Sequence, residues 1–163
     1  MKKSTLSSLK FVAVGTILFS ELLALPASVS KAQKTEIQEC NVVITSPKPD
    51  EKVQSDALVK GTAQIPKGSF LWVLARKEGL TGWWPQGGGP AEIEDGKWKV
   101  LVKFGVPNEY GTFEIATAVV DAQRNEDLKK WVEEAPPNYF PTKFPSLVEG
   151  CMMKKVVVDK VRN

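Results

Sequence analysis

Short runs of β-branched and aromatic residues recur from residue 40 onward, and glycine or proline separates one run from the next. Such spacing is typical of a sandwich or barrel of strands. The run at 70–75 (FLWVLA) is apolar at consecutive positions, which predicts a central strand covered on both faces. In the run at 97–104 (KWKVLVKF), apolar residues alternate mainly with lysines, so we expect a half-buried strand with a mostly basic outer face. Strands are predicted over 41–45, 57–64, 70–75, 97–104, 112–121 and 151–161.

The apolar period changes to that of a helix at residues 125–134 (NEDLKKWVEE). Apolar residues at i, i+3 and i+4, starting with Leu128, would share one helix face, and Asn125 is the N-cap candidate. A short surface helix is therefore predicted. The stretch that follows, 135–146, combines four prolines with three aromatic residues and predicts an ordered, extended proline-aromatic loop.

The first 32 residues have the parts of a cleaved secretory signal peptide. A basic start precedes the apolar run 11–19 (FVAVGTILF), and small residues precede the expected cleavage after Ala32, with Ala27 as the second choice. A retained N-terminal anchor is the alternative, although a spanning helix needs roughly 20 mainly apolar residues and Glu21 interrupts the run. This organisation predicts a secreted or periplasmic protein with no integral membrane segment in the mature chain. A short polar tether is predicted over 33–39 and a single domain over 40–163.

The charge balance does not point to nucleic acid as a partner. The whole chain has 22 basic and 19 acidic residues, a net charge of +3. Because the leader contains four lysines and one glutamate, the residues after it carry 18 charges of each sign and are neutral. The basic excess therefore belongs to the leader, and no nucleic acid is expected among the partners.

Two cysteines, Cys40 and Cys151, stand near the two ends of the predicted domain. In an exported protein an even cysteine count favours a disulfide, which here would join the first strand to the last. Two free buried thiols are the alternative. A metal site is not expected, because the chain has no histidine and two thiolates do not complete a zinc shell.

Seven short motifs follow one another in an order of strands and turns. They are I-T-S-P at 44–47, V-K-G-T-A at 59–63, I-P-K-G at 65–68, L-W-V-L at 71–74, W-W-P-Q at 83–86, D-G-K-W at 95–98 and F-E-I-A at 113–116. Together they resemble bacterial immunoglobulin-like β-sandwich domains of exported and cell-surface proteins. The resemblance covers roughly residues 40–121 and the final strand. It implies an all-β, immunoglobulin-like antiparallel β-sandwich, to which the helix and the proline-aromatic loop are additions.

Catalytic chemistry has little support in the sequence, and we expect neither an enzyme nor a cofactor. Without histidine the chain lacks the usual general base near neutral pH, and Ser/His or Cys/His pairs cannot form. The carboxylates at 92–95 and 133–134 are interpreted as solvated surface charge. The glycines at 87–89 do not form a phosphate loop, since no Gly-Lys-Ser/Thr follows them.

Aromatic residues in the loops are the candidate binding surface. Trp83 and Trp84 are adjacent, so in an extended segment one points to the core and the other away from it, and Gln86 follows beside the glycines. Either a contact surface or a lid on the core fits this pattern. Tyr139 and Phe140 form a second candidate, the alternative being a loop that seals a sheet edge.

The lysines of the run at 97–104 form a basic stripe on one strand face: Lys97, Lys99 and Lys103. Lysines at a sheet edge discourage aggregation, which is one interpretation of the stripe. Contact with an anionic envelope glycan is the functional alternative.

These features favour an exported, non-catalytic binding module of the cell envelope or extracellular space. Its partner would be a protein or an envelope glycan, and the module is expected to be a monomer. One alternative is a carbohydrate-binding domain in which Trp83 or Trp84 stacks on a sugar ring. Another is a structural or inhibitory small secreted protein whose disulfide-closed fold resists proteases.

Overall fold

The computed structural model describes residues 39–134 and 141–162. The predicted leader and all of the predicted tether except Glu39 lie outside the described residues. The described residues contain nine strands and one helix. In chain order they are β1 (Asn41–Ser46), β2 (Glu51–Val53), β3 (Asp56–Gln64), β4 (Phe70–Lys77), β5 (Trp84–Pro85), β6 (Ile93–Glu94), β7 (Lys97–Lys103), β8 (Gly111–Val120), α1 (Ala122–Glu134) and β9 (Lys154–Lys160).

The strands form two sheets, which confirms the predicted all-β class. The first sheet has the order β1-β3-β7-β6 and is antiparallel throughout. The second has the order β2-β9-β8-β4-β5. Because β2 runs parallel to β9, the second sheet is mixed, and the prediction of a purely antiparallel sandwich is wrong at this pair. The run Glu51–Val53 is too short to show the alternation that would predict a strand.

The main core lies between the two sheets. Strand β7 follows the predicted alternation, with Trp98, Val100 and Val102 buried while the lysines and Leu101 between them are exposed. These side chains pack against the inner face of the second sheet, and each buried residue of this size contributes about 1.5–3 kcal/mol. The largest fully buried members of this core are Phe104, Leu71, Ile115, Val59, Val73, Val102 and Val158.

A second apolar cluster covers the other face of the second sheet. There Trp72, Leu74 and neighbouring residues of β8 pack against Leu128 of helix α1 and Phe144 of the segment after the helix. Strand β4 is therefore buried on both faces, as the apolar run at 70–75 predicts. Trp72 belongs to this second cluster and not to the core between the sheets.

Helix α1 begins earlier than predicted, and Asn125 is not its N-cap. The cap is Asp121, whose Oδ1 accepts the backbone N–H of Arg124 at 2.7 Å. Asn125 is fully buried within the helix, and its Oδ1 accepts the indole N–H of Trp72 at 3.0 Å. The buried indole needs a hydrogen-bond partner, so the asparagine that could have capped the helix joins it to the sheet instead.

Cys40 and Cys151 form a disulfide with their Cα atoms 5.1 Å apart, which confirms the predicted pairing. Cys40 directly precedes β1 of the first sheet, and Cys151 lies shortly before β9 of the second. The bridge therefore ties the two sheets together, and disulfides of this kind are typical of oxidising compartments. Within the described ranges, no helix combines the length and the apolar character needed to cross a bilayer.

Candidate functional site

A groove of about 900 Å³ opens along one side of the sandwich, where edges of the two sheets face each other. The second sheet contributes the end of β4 and the short strand β5 to its lining. The first sheet contributes the end of β7, and the loop 105–109 between β7 and β8 adds further lining residues. We refer to this space as the groove.

Exposed apolar side chains converge on the groove. Among the described residues, seven large hydrophobic side chains are exposed, and three of them line this one space. They are Leu80 at 46%, Leu101 at 48% and Val106 at 64% exposure. Clustered apolar exposure of this kind marks interaction sites, whereas single exposed leucines need no explanation.

Trp83 does not offer its ring to a ligand, because it is only 4% exposed. The guanidinium of Arg76 lies 4.3 Å from the centre of its ring, and Phe144 packs against it edge-to-face with the ring centres 5.4 Å apart. Its backbone exchanges two 2.8 Å hydrogen bonds with Thr142. Trp83 therefore attaches the segment after helix α1 to the second sheet.

Trp84 points the other way and is half-buried in the lining of the groove. Its backbone pairs with Ala75 of β4, so the position of the indole is set by the sheet and not by a free loop. A half-buried indole in a groove combines a large apolar face with a polar N–H, which is why tryptophan is enriched at interaction hot spots.

Gln86 forms hydrogen bonds with both sheets. Its backbone N–H bonds the carbonyl of Val73 in the second sheet at 2.8 Å. Its side-chain Oε1 accepts the N–H of Lys103 in the first sheet at 2.9 Å, and its Nε2 donates to the carbonyl of Trp84 at 3.0 Å. Both ends of the amide thus form hydrogen bonds within the protein, and Gln86 joins the two sheets beside the groove.

A buried lysine forms hydrogen bonds with the backbone at the start of the loop 105–109. Lys160 is 2% exposed, and its Nζ donates to the carbonyls of Phe104 and Val106 at 2.7 and 2.8 Å. Glu109 accepts the N–H of Val106 at 3.3 Å and pairs with Lys77 of β4 at 3.1 Å. These contacts connect this loop to both β4 and β9.

A buried carboxylate lies beside the groove on the outer face of the second sheet. Glu114 accepts hydrogen bonds from Arg76 and from Lys155, and its side chain is almost fully buried. Burial alone would raise the pKa of Glu114, but the bonds and charges of Lys155 and Arg76 outweigh it and the pKa is lowered. Glu114 thus keeps Arg76 in place over Trp83, and its one negative charge is shared between Arg76 and Lys155.

Among the described residues, three lysines of the first sheet have no carboxylate partner of the kind that Arg76 has. Lys99 lies directly opposite Lys60, and Leu101 directly opposite Leu58, on the exposed outer face. No described carboxylate forms an ion pair with Lys60, Lys99 or Lys103. Like charges directly across a strand pair are unfavourable, and Lys60 and Lys99 form such a pair on the outer face, whereas Lys103, the one of the three that lines the groove, lies opposite Asp56 of β3.

The predicted site residues are brought together only in part. Trp84 and Gln86 line the groove, Trp83 lies beneath the sheet surface, and Tyr139 and Phe140 lie outside the described residues. In the parts of the chain that the structure describes, no three potential metal ligands of the His, Cys, Asp and Glu types cluster.

Sequence reasoning does not find Leu80 or Val106, because each lies in a loop without a periodic pattern. Lys160 lies in the predicted last strand, two residues after the buried Val158, at an inward position where a lysine is not expected. Leu101 does leave a signal. It is the one apolar residue among the lysines at the outward positions of the run at 97–104, and a polar side chain is expected at an exposed position of a strand.

No protein-family model matches this chain, and no curated protein matches it.

Proposed function

We propose that this protein is an exported, non-catalytic binding module of immunoglobulin-like fold, and that the groove is its ligand site. The observation that carries the proposal is the convergence of Leu80, Leu101 and Val106 on a space that also contains the indole of Trp84. Binding pockets are mainly apolar with a few fixed polar groups, and this groove has that composition.

The strand order supports the immunoglobulin-like part of the proposal. Immunoglobulin domains pair strands A-B-E-D in one sheet and C-F-G in the other, with C′ added beside C in the variable type. Taking β1, β3, β4, β5, β6, β7, β8 and β9 as A, B, C, C′, D, E, F and G reproduces both orders. The additions are β2 beside the last strand and α1 in the F–G connection. Trp72 departs from the immunoglobulin pattern. The tryptophan of strand C in those domains is buried between the two sheets, whereas Trp72 faces the helix.

Export is supported by the signal-like leader together with the disulfide. The test is N-terminal sequencing of the protein from its native host. We expect a mature chain that begins at Gln33, or at Ser28 if cleavage follows Ala27. A mature chain that still begins with Met1 would overturn this part of the proposal.

The ligand site is tested by two unbiased screens, a displayed peptide library and a glycan array. The groove variant is Val106→Asp, and the matched control is Met152→Asp, which changes an equally exposed apolar residue (69%) away from the groove. We expect ligands whose affinity falls about tenfold or more on Val106→Asp but is unchanged on Met152→Asp. If every ligand binds both variants equally, the groove is not the site.

The carbohydrate alternative narrows to Trp84, since the ring of Trp83 is covered by Arg76 and Phe144. It is favoured by a half-buried indole in the groove lining, which is a surface on which a sugar ring can stack. Sugar binding also needs polar groups beside the indole, and the nearby Gln86 amide already accepts from Lys103 through Oε1 and donates one N–H of Nε2 to Trp84. Glycan-array ligands that are lost on Trp84→Ala would favour this alternative, and their absence would remove it.

A further inference from the structure

We propose that the groove takes an extended peptide segment in which acidic residues flank a large apolar residue. The apolar side chain enters the groove, the peptide main chain bonds Leu101 of β7, and the carboxylates lie against Lys99 and Lys103. This inference rests on the proposed function, because it names the class of ligand that the groove binds.

The main chain of β7 is open to a ligand at Leu101. Strand β6 pairs only with Lys97 and Trp98, and the N–H of Lys103 is already bonded to Gln86. The N–H of Phe104 bonds Ser55 on the β3 side, so by the alternation of an antiparallel ladder the N–H and C=O of Leu101 point away from β3. They face the groove side, and no described residue bonds them there.

These polar groups favour a peptide over an acyl chain. A hydrocarbon packed along β7 would cover the N–H and C=O of Leu101 without bonding them, which is unfavourable. A peptide main chain satisfies both groups, as in other cases where an extended segment pairs with an open strand edge. Adjacent residues of an extended peptide point to opposite sides, so one apolar residue can enter the groove while its two neighbours face outward.

The acidic character of the proposed peptide follows from the cations around Leu101. The groove also contains Arg76 and Lys77, which are ion-paired with Glu114 and Glu109, although Glu114 is shared with Lys155. Lys99 and Lys103 are exposed on either side of Leu101 and form no ion pair with a described carboxylate, although Lys103 lies opposite Asp56 of β3 while Lys99 lies opposite Lys60. Acidic residues next to the apolar anchor would complement them and would also offset the repulsion between Lys99 and Lys60.

The experiment measures binding of fluorescein-labelled peptides by anisotropy. The test peptide has the centre Ser-Glu-Phe-Glu-Ser, and three controls replace that centre by Ser-Gln-Phe-Gln-Ser, Ser-Glu-Ala-Glu-Ser or Ser-Lys-Phe-Lys-Ser. We expect the first to bind most tightly, and both loss of the acids and loss of the phenylalanine to weaken binding. A version of the test peptide methylated on its backbone nitrogens should also bind more weakly, because it cannot donate to the carbonyl of Leu101.

The protein variants are Lys103→Glu and the matched control Lys52→Glu, which makes the same charge change on β2 of the other sheet. Lys103→Glu should lower the affinity for the Glu-Phe-Glu peptide about tenfold and raise the affinity for the Lys-Phe-Lys peptide. Lys52→Glu should change neither affinity by more than about twofold. Equal weakening by both variants would mean general electrostatic attraction and would overturn the inference.

Three other results would also overturn it: no binding of the Glu-Phe-Glu peptide, equal binding of the Glu-Ala-Glu peptide, or equal binding of the methylated peptide. Vesicles with anionic phospholipid are a further arm, and vesicle binding that depends on Lys103 and that the peptide does not inhibit would assign the surface to lipid. If the peptides fail but a screened ligand is lost on Val106→Asp, the proposed function stands and this inference alone fails.

Discussion

At the scale of single residues, one buried hydrogen bond decides how the helix is held against the second sheet. The indole N–H of Trp72 and Oδ1 of Asn125 are both fully buried and 3.0 Å apart. We expect Asn125→Ala to lower the free energy of unfolding by about 1–3 kcal/mol, because it leaves the Trp72 N–H buried without a partner. Urea unfolding followed by tryptophan fluorescence measures this change.

A double-mutant cycle with Trp72→Phe is the control for that prediction, since phenylalanine removes the donor as well. Asn125→Ala should cost clearly less in the Trp72→Phe background than in the wild type. Equal costs in both backgrounds would show that Asn125 acts through the helix and not through the bond to Trp72.

Glu114 makes the stability depend on pH. Its pKa is lowered in the folded protein because the bonds and charges of Lys155 and Arg76 outweigh burial, so it stabilises the fold when ionised. This contribution is present above the pKa that Glu114 has in the unfolded chain, and it is lost as the pH falls through the lower folded pKa. Glu114→Gln should therefore be less stable than the wild type near pH 7, with the difference shrinking toward acid pH.

The measurement for Glu114 is the midpoint of urea unfolding at a series of pH values, with the exposed Glu78→Gln as the control. The control should run parallel to the wild type throughout. A Glu114→Gln curve that stays a constant distance below the wild type down to acid pH would contradict the assigned role of the carboxylate.

At the scale of the elements, the close packing of β3 against its neighbours depends on one glycine. A Cβ built at Gly61 would lie 2.0 Å from the carbonyl oxygen of Val43 in β1 and 2.4 Å from the Trp98 ring in β7. We expect Gly61→Ala to destabilise the protein by about 1–3 kcal/mol or more, since backbone and a buried ring would both have to move. Thermal unfolding followed by circular dichroism measures the loss.

Gly89 is the matched control for Gly61, because a Cβ there meets nothing within 4 Å. Gly89→Ala should leave the melting temperature unchanged or raise it slightly, as it restricts the unfolded chain. Equal losses at both positions would mean that glycine flexibility, and not the contact between β3 and its neighbours, is what matters.

The elements that the sequence predicts are those with a repeating pattern of their own. The alternation in β7 identifies its buried face, and the apolar run in β4 identifies a strand buried on both sides. β5 has two residues, too few for a period, and it exists because its backbone pairs with β4. Asn125 shows the same limit at a helix: it has a capping side chain, but a distant tryptophan determines its role.

At the scale of the whole molecule, the groove could not be predicted from one segment because its lining comes from several. Trp84 and Gln86 stand out in the sequence, but what makes them part of a site is their position opposite Leu101 and Val106. Those residues are separated from them by a hairpin and meet them only when the edges of two sheets face each other. The packing of the two sheets determines which residues lie opposite one another, and no local sequence pattern specifies that packing.

The disulfide acts on the molecule as a whole, since it joins the two sheets across 111 residues of sequence. In the chain-entropy model, closing a loop of this length removes about 4–5 kcal/mol of unfolded-state entropy. We expect the double variant Cys40→Ala, Cys151→Ala to lose about 2–5 kcal/mol in urea unfolding while keeping the β-sheet circular-dichroism spectrum of the wild type, because the cores on both faces of the second sheet remain. The wild type unfolded in the presence of reductant is the control and should match the variant. A loss below about 1 kcal/mol would contradict the model, since it would mean that the ends of the unfolded chain already stay close together without the bridge.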